Sequence, residues 1–138
     1  MGPVFRQYKP AELYSGIKEH FNVSEKDKNN IPLIAFNLTG CGFLDIFVTN
    51  LYQHGFHTTG YHAEKLGVTP TEFCFTIQTL TGENFTDFST EFIILMANDL
   101  AESNKDLKKI YRRLGFGSYS GLYRFMIRNG VLMLRKRR

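Results

Sequence analysis

Apolar side chains recur along this chain at helical spacing rather than in strict alternation. Leu13, Ile17 and Phe21 stand at i, i+4 and i+8, and Pro10 suits a first turn that needs no amide donor. A short amphipathic helix is expected over 10–21. Residues 24–30, SEKDKNN, carry no apolar side chain and read as an exposed loop. The following IPLIAFNL fits either a short strand or a buried helical turn. Beyond Gly40 and Gly42, Phe43, Phe47 and Leu51 repeat at helical spacing until Gly55, where a left-handed glycine followed by apolar Phe56 is the expected stop.

The stretch 58–82 holds two short helical patterns divided at Gly67 and Val68. The second has a strong start: Thr69 as cap, Pro70 at the first position and Glu72 at the third, able to reach back to the cap. Phe73, Ile77 and Leu80 form its inward stripe up to Gly82. From the cap candidate Asn84, Phe85, Phe88, Phe92, Met96 and Leu100 trace one face of a longer helix to about Glu102, and Ile93, Ile94 and Leu95 widen it. This helix is expected to be a buried central connector. Leu107, Ile110, Tyr111 and Leu114 then precede Gly115, and Leu122, Phe125 and Met126 follow it. Leu66-Gly67-Val68 thus matches Leu114-Gly115-Phe116 at an offset of 48 residues. Two helix-turn-helix units joined by one long helix is the economical description, all-α in class.

A chain of 138 residues is about one domain long. With 43% apolar and 22% charged residues, and no uninterrupted apolar run of membrane-spanning length, a globular protein is expected rather than a disordered or membrane-spanning one. MGPVFRQYKP lacks a signal-peptide core, and Arg6 stands where a myristoylation signal wants Ser or Thr, so the cytoplasm is the expected location. Cys41 and Cys74 lack ligand spacing and are expected to be reduced thiols in or near the core. His54, His57 and His62 have Gly55 among them and no fourth ligand, so they read as cap, turn or surface histidines, and no metal is expected. No GxSxG, GxxxxGKS or HExxH pattern occurs; neither enzymatic activity nor a cofactor is expected.

Charge divides the chain more sharply than the net +4 suggests. Residues 1–42 are nearly balanced, at +1. Residues 43–104 hold Lys65 against eight acids, −7 in all, and residues 105–138 hold eleven basic residues against Asp106, +10 in all. Clustered cations bind phosphates by releasing condensed counterions. The alternative is a basic face docked on the acidic middle of the same chain or of a second copy.

The arrangement resembles the DNA-binding domain of AraC-type bacterial transcription regulators. The likeness is carried by Ala63-Glu64-Lys65-Leu66-Gly67-Val68-Thr69, by Gly82, by Ala97 and Leu100 on the connector, and above all by LAESNKDLKKIYRRLGFGSYSGLYRF with its Gly-Phe-x-Ser string at 115–118. It covers about two-thirds of the chain. Residues 1–42 then form an N-terminal extension of short helix, loop and apolar segment, and 43–138 the double helix-turn-helix domain. Ile93 stands where the family usually has Arg, Tyr111 where it has a small residue, and the closing Gly-x-x-Pro is missing. The extension is too short for a sensor barrel, so no small-molecule effector domain is expected.

The resemblance implies sequence-specific binding of double-stranded DNA and transcription regulation, with the two recognition helices roughly 34 Å apart, one turn of DNA. With Leu122 and Met126 inward, the second recognition helix presents Ser118, Tyr119, Ser120, Tyr123 and Arg124 to base edges. Arg124 suits guanine O6 and N7, with a surface ion pair as its alternative. Lys105, Lys108, Lys109, Arg112, Arg113, Arg128 and Arg135 are the phosphate candidates. The first recognition helix turns Thr71, Phe75, Gln78 and Thr79 outward and has no Lys or Arg. Gln78 can read adenine and Phe75 can meet a thymine methyl, yet an exposed Phe among acids is more simply an interaction surface for a protein partner or a second copy. DNA binding is therefore expected mainly through the C-terminal unit. A degenerate DNA-binding fold serving as a protein-interaction module is the alternative.

Overall fold

The computed structural model describes residues 7–26, 39, 41–102, 108 and 111–130. Its described residues form six helices and no strand: α1 (Pro10–Lys26), α2 (Gly42–His54), α3 (Thr59–Leu66), α4 (Pro70–Thr81), α5 (Phe85–Glu102) and α6 (Tyr119–Arg128). The protein is all-α, as its periodicity predicts. IPLIAFNL lies outside the described residues.

Helix α1 runs past the expected end, so Ser24, Glu25 and Lys26 are helical rather than loop. A lack of apolar residues signals exposure, not a broken backbone, and neither Gly nor Pro stands there to stop the helix. The described part of the N-terminal segment is also built into the main core. Leu13 and Ile17 are buried beside α5. Tyr14 donates from Oη to Asp99 of α5 at 2.7 Å, and Lys18 pairs with the same carboxylate at 2.8 Å. Upstream of the helix, the Tyr8 amide donates to the Leu80 carbonyl at 3.0 Å and Lys9 Nζ to that of Thr81 at 3.4 Å. These bonds satisfy carbonyls that the end of α4 leaves open.

Helix α2 begins without a side-chain cap from Cys41. Asp45 in its first turn, buried, accepts instead from the Thr39 amide at 3.0 Å and hydroxyl at 2.8 Å. Its apolar face supplies Leu44, Phe47, Val48 and Leu51, all fully buried. Phe73 and Ile77 of α4 and Phe88, Phe92, Ile93 and Met96 of α5 complete the centre, where Phe47 meets Phe73 edge-on at 5.4 Å and Phe88 at 5.7 Å. Helix α5 is the buried connector its sequence predicts, touching α1, α2 and α4. Ile93 sits at its fully enclosed face, where an Arg would need a partner for its charge. Cys41 and Cys74 are half-buried free thiols.

Candidate nucleic-acid interface

The end of α3 and the turn at 111–116 use the same backbone device. At Gly67, in left-handed conformation, the Val68 amide donates to the Ala63 carbonyl at 3.0 Å and the Gly67 amide to that of Glu64 at 3.2 Å. Forty-eight residues later, the Phe116 amide donates to Tyr111 at 3.0 Å and the Gly115 amide to Arg112 at 2.9 Å. Each pair satisfies two carbonyls that a helix end leaves open. The internal repeat is thus present in hydrogen bonds as well as letters. The helix expected before Gly115 is described only at Lys108, which is helical.

A capped helix follows each turn. Thr69 Oγ1 accepts from the Glu72 amide at 3.1 Å while Glu72 Oε1 accepts from the Thr69 amide at 2.9 Å, the reciprocal cap expected before Pro70. Ser118 Oγ accepts from the Gly121 amide at 3.1 Å and starts α6. The second turn is one residue longer, with Gly117 between Phe116 and the cap.

The two halves meet through crossed glycines. Gly55 ends α2 at φ 76° and ψ −155°, a more extended conformation than the left-handed stop expected there. The next amide, Phe56 N–H, donates to the Leu114 carbonyl at 3.0 Å. A Cβ on Gly55 would lie 2.2 Å from the Leu114 carbonyl carbon, and one on Gly115 would lie 2.2 Å from the Phe56 nitrogen. Around this crossing Phe56, Phe116 and Phe125 form a triangle with ring centres 5.2 to 5.5 Å apart. Leu114, Leu122 and Met126 are fully buried, the inward orientation that fixes which side of α6 faces solvent.

On that solvent side Ser120, Tyr123, Arg124 and Arg128 are exposed, and Arg124 makes no ion pair with a described residue. Tyr119 is half-buried, 6.2 Å from the Tyr123 ring, with Lys108 Nζ 5.9 Å from its centre. Ser118 is exposed, but its hydroxyl oxygen serves the helix cap. Arg112 is exposed, 5.7 Å from the Tyr111 ring. Arg113, a phosphate candidate by sequence, is exposed as well, and its guanidinium lies 5.0 Å from the Tyr52 ring and donates to the Tyr52 carbonyl at 3.4 Å. Tyr52, Gly55 and Phe56, which seat the C-terminal half, carried no functional signal in the sequence. Lys105, Lys109 and Arg135 lie outside the described residues.

The outward face of α4 holds Thr71, Phe75, Gln78 and Thr79, all exposed, and Phe75 keeps 72% of its surface. Both expected faces therefore exist as exposed surfaces, one basic and aromatic, the other without a cation around a single Phe, with Glu72 one turn away.

His54, at the end of α2, and His57, in the turn after it, are exposed as expected, whereas His62 departs. His62 is fully buried rather than a cap, turn or surface residue. It stacks on Phe73 at 5.6 Å and meets Phe47 edge-on at 4.9 Å, with neither ring nitrogen partnered among the described residues. Burial, with a smaller contribution from His57, pushes its pKa down to about 4. The surrounding rings come from α2, α4 and α5, so no local pattern could have shown the site. His57 stacks on Tyr61 at 3.9 Å, and burial followed by the neighbouring His54 lowers its pKa. Among the described residues, no three His, Cys, Asp or Glu side chains converge on a metal position, and no helix is long and apolar enough to cross a membrane.

Comparisons of the chain with protein-family models, with curated proteins and with solved structures find no match in any of the three.

Proposed function

We propose that the protein binds double-stranded DNA sequence-specifically as a transcription regulator, with the two turn-linked units acting as helix-turn-helix motifs and α6 reading the major groove. The resemblance to AraC-type regulators favours this reading. The observation that carries it is the outward face of α6, where Arg124, Ser120, Tyr123 and Arg128 project from a helix whose opposite face is locked by Leu122 and Met126. A guanidinium held in this way matches guanine O6 and N7 together, and Lys108 and Arg112 flank it for backbone phosphates. Helix α4, without a cation, contributes less.

The test is titration with a pool of duplexes, selected for affinity, at two salt concentrations. Arg124→Ala should relax preference at one base pair, costing about 1 to 3 kcal/mol there. Thr71→Ala with Gln78→Ala should weaken the complex less. Equal binding of every duplex by the native protein would end this reading. The exposed Phe75 favours one other role for the first unit, recognition of a protein, and the two uses are compatible because they lie on different helices.

A further inference from the structure

The acidic middle of the chain and its basic C-terminal third both present charged side chains to solvent. Lys18 pairs with Asp99, a contact that involves neither α4 nor α6. Glu64, Glu72, Asp87 and Glu91 are exposed, as are Arg112, Arg124 and Arg128. Glu83, at the end of α4, has its pKa raised by burial first and then by Glu91 and Asp87, with Lys9 acting the other way. Carboxylates grouped in this way gain from an incoming cation.

Each of the two faces also has an apolar centre. On α4 this is Phe75, 72% exposed and flanked one turn away by Thr71, Glu72, Gln78 and Thr79. On α6 it is Tyr123 and Ile127, 45% and 49% exposed, one turn apart and bordered by Arg124 and Arg128. One helix offers a ring with Glu72 one turn away; the other offers an apolar pair with two guanidiniums along one side. DNA can cover the second face but is repelled by the first.

We propose that the α4 face docks on the α6 face of a second copy of this chain, with Phe75 against Tyr123 and Ile127 and the carboxylates around α4 facing Arg124 and Arg128. The contact is heterologous, so a dimer keeps one free α4 face and one free α6 face, and association continues to larger species unless it closes into a ring. It is strengthened by low salt, because exposed charges more than about a Debye length apart are screened. The proposal does not rest on DNA binding, and a duplex and a second copy compete for Arg124 and Arg128.

Sedimentation velocity of the full chain tests it, in about 50 mM and about 500 mM salt. The native chain should form dimers and larger species in low salt and dissociate in high salt. Phe75→Glu should be monomeric, and so should Arg124→Glu with Arg128→Glu; these positions are exposed, and circular dichroism checks that both variants keep their helices. Mixing the two variants should restore association, stopping at a one-to-one dimer, because each retains the face the other lost. A native chain that stays monomeric in low salt overturns the proposal, as does association that survives Phe75→Glu or a mixture that stays monomeric. None of these failures touches the duplex titration, which is read separately.

Discussion

Both ring nitrogens of His62 are shut off from water and lack a partner among the described residues, so its neutral form belongs to the fold. The unfolded chain returns the ring to its ordinary pKa of 6.5, whereas the folded value is about 4. Between these values the unfolded state binds more protons, and stability must fall as pH falls. The cost should reach about 2 to 3 kcal/mol by pH 4.5, and His62→Leu should remove most of that slope. Urea unfolding at pH 7.5 and pH 4.5 measures it; equal slopes in both proteins would refute the assignment. Asp99 titrates in a different window. Burial raises its pKa, but the hydrogen bonds from Lys18 and Tyr14 together outweigh that and leave it below the usual 3.8. Its contribution, present above the unfolded value, is lost only as pH falls through the lower folded one. The sequence placed His62 among polar neighbours in TGYHAEKL, and only the distant Phe47, Phe73 and Phe85 make it a core residue.

Helix ends were the most readable elements. The Thr69 cap with Pro70 and Glu72, the Ser118 start of α6 and the glycine stops at 67 and 82 are local chemistry, and the structure has each where its residues stand. The Gly55 and Gly115 crossing was unreadable, because a close approach between residues sixty positions apart leaves no periodic trace. This separates two glycines that look alike in sequence. Gly67 has φ 72° with nothing within 4 Å of an added Cβ, so Gly67→Ala should cost only the left-handed penalty, about 1 to 2 kcal/mol. Gly115→Ala drives a Cβ to 2.2 Å from the Phe56 nitrogen and should cost more, by separating the C-terminal half from α2. Hydrogen exchange should show α6 and the turn at 111–116 losing protection while α2 and α4 keep theirs. Uniform loss throughout the chain, or none, would contradict the crossing as the joint between the halves.

For the whole molecule, the proposed DNA binding would draw on the excess of +10 over residues 105–138, whose charges are not equivalent. Each neutralised phosphate contributes about −0.9 to the slope of log affinity against log salt, so four contacts give about −3.6. Lys108 and Arg112 are exposed toward solvent, and replacing both with Gln should flatten the slope by up to about two phosphate equivalents without altering base preference. Arg113 is held by the ring and carbonyl of Tyr52. Arg113→Gln should therefore change the slope by less than one equivalent and lower affinity at every salt concentration, an effect that Tyr52→Ala, which removes no charge, should share. A slope change for Arg113→Gln equal to that of Lys108→Gln would make Arg113 a phosphate contact like Lys108 and leave Tyr52 without a positioning role. Removing residues 135–138 supplies the remaining control, because a run of cations attracts any polyanion. If that deletion abolishes binding while Arg124→Ala changes no base preference, attraction resides in the tail and α6 reads no sequence.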